Sequence, residues 1–126
     1  MYKRILIGLV AFGMITLLIT ACAIRDANTA SGTPVHMGQA DFIQHTVTIK
    51  KGDSINLIDD ATTQHIIKNG MWVGTTAKPL SESGAPSINI TFGGGDSSAT
   101  PPFTTAGTFH LYCTIHPGMN LTVTVQ

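Results

Sequence analysis

The sequence predicts an all-β domain, a sandwich or barrel of short strands, that follows an apolar N-terminal segment. Short runs of alternating apolar and polar residues recur from about residue 45 to the end of the chain, and turn-forming Gly, Pro, Asn and Asp separate them. Outside the N-terminal segment no stretch shows a sustained apolar period of 3.6 residues, so helices are not expected. The 126 residues suffice for one domain with a single core.

The N-terminal segment, residues 1–21, has the pattern of a secretory signal. Lys3 and Arg4 form a positive head, residues 5–21 are uncharged and mostly apolar, and Cys22 follows. Residues 19–22, Ile-Thr-Ala-Cys, resemble a bacterial lipobox, in which the cysteine is lipidated and becomes the mature N-terminus. The alternative is an uncleaved transmembrane helix, since the apolar run is only just short of a span. Either interpretation places the folded part outside the cytoplasm, attached to a membrane of the cell envelope.

Residues 22–34 are predicted to form a flexible tether, because Ala, Asn, Thr, Ser, Gly and Pro dominate them. The domain is then residues 35–126. Without the signal segment, five basic and seven acidic residues remain, a formal charge of −2. A domain with this balance has no basic patch to neutralise phosphates, so we expect no nucleic-acid partner. We also expect the protein to be a monomer.

The predicted strands follow the tether in order. Apolar and polar residues alternate over residues 45–50 and again over residues 54–58, with a turn at Gly52 between them. Two later segments are predicted loops, residues 76–86 and 93–102, because Gly and Pro interrupt them. Further β-rich runs occupy residues 64–68, 71–75, 87–92, 107–113 and 120–126.

The densest group of chemically active side chains lies near the C-terminus. Cys113, His116 and Met119 bring a thiol, an imidazole and a thioether into seven residues. Thiolate and thioether favour copper(I), imidazole suits both copper oxidation states, and a His₂Cys set with a weak axial Met is an electron-transfer geometry. Zinc usually takes four strong ligands, so Met119 argues against structural zinc. If Cys22 carries lipid, Cys113 has no disulfide partner, and we expect a metal on it.

The local pattern also favours one shared ion. Phe109, Leu111 and Cys113 alternate along a strand, which points the thiol inward. Residues 117–118, Pro-Gly, then turn the chain and can bring the two later ligands around the same ion.

A second imidazole must come from elsewhere in the chain. His65 is the leading candidate, because it follows the second strand and a short loop, at a strand end where it can meet the Cys113 loop. His45 begins the strand before that and is the alternative. His36 lies near the tether and His110 on the face opposite Cys113, so neither is expected to bind metal.

The sequence of residues 113–119, Cys-Thr-Ile-His-Pro-Gly-Met, is similar to the copper loop of cupredoxins, especially the short Cys-x-x-His-x-x-Met loop of the amicyanin type. Residues 42–65 resemble the plastocyanin strands that lead to the first histidine ligand. The resemblance extends from near Val35 to the C-terminus. It implies an eight-stranded Greek-key β-sandwich with one type 1 copper that alternates between Cu(I) and Cu(II). The ligands it implies are His65, Cys113, His116 and Met119.

Two positions beside the ligands depart from the family. Ile66 follows His65 where the family often has Asn, and Ile115 stands where plastocyanin and amicyanin types have Pro. Unlike Pro, Ile115 has an N–H. A hydrogen bond from it to the Cys113 sulfur would favour copper(I) and raise the potential. We therefore expect Thr114, Ile115 and Ile66 to tune the site from its second layer.

The resemblance implies electron transfer between redox-partner proteins that dock transiently. In the family the loop histidine reaches the surface through an apolar patch, a role that falls here to His116. Met71 and Trp72 would join that patch or belong to the core. A copper-delivery lipoprotein with the same ligands is the alternative.

Enzymatic activity is not expected, and no catalytic residue is predicted. No carboxylate pair, Ser–His–Asp pattern or phosphate-binding loop stands out. A binuclear copper centre would need a second cysteine beside Cys113. In a metal-free adhesion domain, the spacing of Cys113, His116 and Met119 would be a coincidence.

Overall fold

The computed structural model describes residues 32–126, which confirm the predicted all-β fold with nine strands in place of the eight implied by the resemblance. The signal segment, Cys22 and all but the last residues of the tether lie outside the described residues. Residues 32–126 contain no helix long and apolar enough to cross a membrane. The strands are β1 (Thr33–Met37), β2 (Thr46–Ile49), β3 (Ile55–Asp59), β4 (His65–Val73), β5 (Thr76–Pro79), β6 (Asn89–Phe92), β7 (Ser97–Ala99), β8 (Gly107–Cys113) and β9 (Asn120–Val125).

The strands form two sheets. One has the order β1-β3-β7, and the other the order β2-β9-β8-β4-β5, with β6 also paired to β4. β1 runs parallel to β3 and β2 parallel to β9, whereas the remaining pairs are antiparallel. The apolar faces of the two sheets form one buried cluster. Its members include Val35, Ile49, Leu57, Ile67, Phe92, Phe103, Leu111 and Val123.

β8 and β9 carry the predicted alternation into this core. Phe109, Leu111 and Cys113 are all buried, as their spacing predicts, and β9 buries every second residue from Leu121 to Val125. The two strands pair antiparallel from Gly107↔Val125 to Tyr112↔Asn120. The segment between them, residues 114–119, therefore leaves and re-enters the sheet at adjacent points.

Several predicted boundaries are wrong. Residues 76–79 of the first predicted loop form β5, and residues 97–99 of the second form β7. All four residues of β5 are exposed and β7 has little apolar content, so neither shows the alternation that reveals a half-buried strand. The runs at 64–68 and 71–75 are one continuous strand, β4. β1 begins at Thr33, inside the predicted tether, and pairs with β3 from that residue onward. Its Thr and Pro resemble the composition of a tether, so they hide the start of the strand in the sequence.

The pairing partners of β4 change at Gly70. Residues before Gly70 pair with β6 and β8, and residues from Gly70 onward pair with β5. Gly70 has φ +137°, and a Cβ there would collide with the Lys78 carbonyl and lie 2.7 Å from Tyr112 Cε1. Tyr112 alternates with core residues and so faces outward, yet it is only 3% exposed. The β4–β5 hairpin (residues 70–79) covers it.

Candidate metal centre

His65 begins β4 and is fully buried. Its Nε2 donates a hydrogen bond to the Gly38 carbonyl at 3.0 Å, whereas Nδ1 is buried with no hydrogen-bond partner among the described residues. A neutral imidazole that is protonated at Nε2 presents a lone pair at Nδ1. A buried, unpaired nitrogen lone pair is costly unless something binds it, and metal-bound histidines usually donate their other N–H to a carbonyl or carboxylate. His65 is thus arranged as a metal ligand.

The Gly38 carbonyl is held in place by the turn after β1. The Gly38 N–H donates to the Asp41 carbonyl at 2.8 Å, and the Ile43 N–H donates back to the His36 carbonyl at 2.8 Å. Asp59, at the end of β3, places a fully buried carboxylate oxygen 3.8 Å from His65 Nε2. That distance is too long for a hydrogen bond, so Asp59 is not a second acceptor for His65.

The loop of residues 114–119 is closed by backbone hydrogen bonds at its two ends. The Cys113 N–H donates to the Met119 carbonyl at 3.1 Å, which continues the β8–β9 ladder. The Thr114 N–H donates to the Ile66 carbonyl at 2.9 Å, which ties the loop to β4 one residue after His65. In this position the family often uses an Asn side chain, whereas here two backbone groups make the connection.

Residues 116–119 form a type II turn inside that loop. The Met119 N–H donates to the His116 carbonyl at 3.1 Å, and Gly118 has φ +85°. A type II turn favours Pro at its second position and requires a positive φ at its third, which Pro117 and Gly118 provide. The predicted Pro-Gly turn is present, and it places Met119 beside Cys113 after only six residues.

The structure brings three predicted ligands together. One ligand atom each from His65, Cys113 and His116 lies within 4.8 Å of the other two. Cys113 Sγ is 3.4 Å from His116 Nδ1, and the two imidazole rings have centroids 4.8 Å apart and planes tilted by 56°. Met119 is fully buried, and its backbone bonds to Cys113 and His116 place it at the same end of the sandwich.

This donor set fits copper. It offers one thiol, two imidazoles and a thioether, which is the set that type 1 copper uses. Burial lowers the pKa of His116 below its ordinary value of 6.5, and the nearby His65 lowers that pKa further. Both effects keep the imidazole neutral, which is the form that binds metal. Of the four residues only His116 is partly exposed, while the other three are fully buried.

The other histidines lie away from this cluster. His45 is exposed, with Nδ1 3.7 Å from an Asp41 oxygen, so the alternative first ligand is not supported. His36 pairs with Asp60 at 2.7 Å. His110 pairs with Glu82, also at 2.7 Å.

Ile115 lies on the loop surface with 44% of its area exposed. Among the hydrogen bonds of residues 32–126, none joins its amide to Cys113 Sγ, which lies 3.4 Å from His116 Nδ1. The structure therefore gives Ile115 an exposed apolar side chain but not the expected hydrogen bond to the Cys113 sulfur.

Sequence reasoning missed the groups that surround the metal ligands and position them. The Gly38 acceptor is a backbone oxygen and has no sequence signature. Asp59 resembles any acidic residue at a strand end. Asn120 and Trp72 exchange hydrogen bonds across β4 and β9, and no short-range spacing connects two residues so far apart in the chain.

Comparison with known proteins agrees with this geometry. The chain matches the copper binding proteins of the plastocyanin/azurin family over residues 30–126. No curated protein sequence matches it. Amicyanin from Paracoccus versutus (Thiobacillus versutus) has a similar structure, with a TM-score of 0.58, 20% identity, and 78% of this chain and 84% of that chain covered.

Two amicyanin variants are similar to the chain to the same degree. The reduced Cu(I) form of one at pH 4 gives a TM-score of 0.59 at 20% identity, and the reduced form of another gives 0.58 at 22%. Each alignment covers 79% of this chain and 88% of the amicyanin chain. At this identity the likeness shows the fold. The family match covers all of the described residues, and their buried thiol, imidazole and thioether groups form a copper site, so the chain belongs to the plastocyanin/azurin family of copper-binding proteins.

Proposed function

We propose that this protein carries single electrons between redox-partner proteins at the outer face of a membrane. The observation that carries the proposal is the closed site, in which His65, Cys113 and Met119 are fully buried and His116 alone reaches the surface. Such a site retains its metal while one ligand edge remains open to a partner. Bound copper supplies the one-electron chemistry by alternating between Cu(II) and Cu(I).

The chain's own part is to hold four ligand groups in one arrangement. His65 is oriented by Gly38, and the loop ligands are held by the bonds from Cys113 to Met119 and from Met119 to His116. Ligands held in this way move little when the charge at the site changes. The Cys113 thiol must lose its proton to bind, and that proton leaves when metal enters.

Electrons would enter and leave through His116. Its imidazole is the ligand that reaches the surface, and the residues around it in the loop, Ile115, Pro117 and Gly118, are exposed and uncharged. A small apolar surface of this kind suits brief docking, because it makes contact without the charge pairing that would slow release. The expected partners are redox proteins with a matching uncharged surface.

The location rests on the sequence of residues 19–22. A lipid on Cys22 would tether the domain to the membrane of a bacterial cell envelope, with the tether giving it reach. Expression of the full chain with a labelled fatty acid tests this. Label on the wild-type chain in the membrane fraction is expected, and its loss in Cys22→Ser would support the anchor. A wild-type chain that stays in the membrane without label would favour the uncleaved helix.

A copper-delivery role is distinguished by two rates measured on the copper-loaded protein. Mixed Cu(I) and Cu(II) forms should exchange electrons fast enough to broaden NMR lines near His116, while a copper-free acceptor protein gains copper slowly. Slow electron exchange with rapid copper transfer would reverse the assignment in favour of delivery.

A further inference from the structure

Trp72 lies in the β4–β5 hairpin, directly over the strand that ends in Cys113. Its ring meets Tyr112 edge-on, with ring centroids 6.1 Å apart and planes at 79°. The hairpin begins at Gly70, where β4 exchanges its pairing with β6 and β8 for pairing with β5. In this position the Trp72 backbone reaches one end of the copper loop and the indole reaches the other.

One end of the loop is bound through Asn120. The Trp72 N–H donates to Asn120 Oδ1 at 2.7 Å, and Asn120 Nδ2 donates to the Trp72 carbonyl at 3.0 Å. The side-chain amide thus pairs with the Trp72 backbone as a neighbouring strand would. Asn120 is the residue directly after Met119, so this pair fixes the point at which the loop rejoins the sheet.

The other end is bound through the indole. Trp72 Nε1 donates to the carbonyl of Cys113 at 2.8 Å. Cys113 is the last residue of β8, and its N–H already donates to Met119. The indole bond therefore fixes the peptide plane that leads out of the thiolate ligand into the loop.

We propose that Trp72 is a positioning residue of the copper site, which holds both ends of the ligand loop by three hydrogen bonds from one residue of β4. His65 lies at the other end of the same strand. β4 would therefore fix the position of the copper loop relative to His65. Partners that lie one shell behind metal ligands typically change metal affinity by roughly tenfold to a hundredfold when they are lost. The inference rests on the copper site and not on the electron-carrier proposal.

The test removes the indole N–H and leaves the ring. Trp72→Phe does this with a smaller ring, and replacement of Trp72 by benzothienylalanine does it with nearly the same shape. We expect copper(I) release to a chelator to accelerate roughly tenfold in both variants. We also expect Cys113 of the metal-free protein to react faster with a disulfide reagent, a readout that does not depend on copper.

Two controls separate this role from general packing. Val73→Thr changes the next residue, which is 49% exposed, and should leave both rates unchanged. Ile49→Val removes a buried methylene near the far end of β2 and lowers overall stability without touching the loop. If Ile49→Val accelerates copper release as much as the Trp72 variants do, Trp72 acts only through stability and the proposal is overturned.

The coupling to Asn120 gives a further check. Trp72→Phe and Asn120→Ala loosen the same loop, so their effects on copper release should not add independently in the double variant. Wild-type release rates in both the Phe and the benzothienylalanine variants would also overturn the proposal. A wild-type protein that binds copper but exchanges electrons slowly would contradict the proposed function and leave this inference intact.

Discussion

At the scale of single residues, the site depends on which nitrogen of His65 is free. The Gly38 carbonyl accepts a hydrogen bond from the protonated Nε2, so the buried Nδ1 remains available to the metal. The soft donors of residues 113–119 were predictable from the sequence, because their chemistry and spacing are local. The orientation of His65 was not, since it depends on a backbone oxygen that the fold supplies from the end of β1.

Replacement of Cys113 by Ser removes the thiolate and should abolish the intense visible band of the copper protein. Serine oxygen is a poor ligand for copper(I), and the buried site offers no other sulfur donor of comparable strength. Visible absorption of the copper-loaded variant measures this. A band of wild-type intensity in Cys113→Ser would show that the thiolate is not a ligand.

Met119→Leu should keep copper bound but raise the reduction potential. The variant keeps the volume of the buried side chain but removes a weak axial donor. Copper(I) tolerates the remaining three ligands better than copper(II) does, so the copper(II) form loses more stability. A tenfold change in the ratio of the copper(I) affinity to the copper(II) affinity corresponds to about 59 mV for a one-electron couple. Voltammetry should show an upward shift of this order, and a downward shift would contradict an axial Met119.

The lowered pKa of His116 predicts a pH dependence of the metal-free protein. The folded state binds this proton less readily than the unfolded state, so stability is lost as pH falls through the unfolded value near 6.5. Urea unfolding at about pH 7.5 and about pH 5.5 should show a larger loss for wild type than for His116→Asn. Equal losses in the two proteins would mean that His116 does not contribute.

At the scale of elements, alternation reveals some strands and hides others. β2 and β9 bury one face, and the apolar periods of these strands and of β3 and β8 are visible in the sequence. β5 is exposed throughout and β7 has three small residues, so pairing rather than patterning makes them strands. The change of pairing partner in β4 at Gly70 cannot be seen in the sequence either, because nothing local distinguishes this glycine from those in turns.

Gly70→Ala should destabilise the domain by about 3 kcal/mol or more. The new Cβ adds a strained positive φ, at about 1–3 kcal/mol, to a collision with the Lys78 carbonyl and Tyr112. Gly52→Ala is the matched control, because Gly52 has φ +96° but nothing within 4 Å of its Cβ. Urea unfolding of both metal-free variants measures the difference. Equal unfolding free energies for Gly70→Ala and Gly52→Ala would mean that the β4–β5 hairpin accommodates the new Cβ without losing stability.

At the scale of the whole molecule, the sandwich gathers ligands that are far apart in sequence. The turn after β1 supplies Gly38 and the end of β3 supplies Asp59 beside His65, while β8 and β9 supply the ends of the loop. The resemblance of residues 113–119 to the cupredoxin copper loop, together with the β pattern, predicted the sandwich and its four ligands. The groups behind the ligands, including Trp72 and Asn120, depend on long-range contacts and appear only once the chain is folded.

The most direct test of the copper site is a titration of the purified protein with copper(II), followed by visible and EPR spectra. One copper per chain is expected, with an intense thiolate-to-copper band that ascorbate bleaches and ferricyanide restores. The absence of that band, together with a Cys113 thiol that still reacts freely with thiol reagents after copper is added, would contradict a site built from His65, Cys113, His116 and Met119.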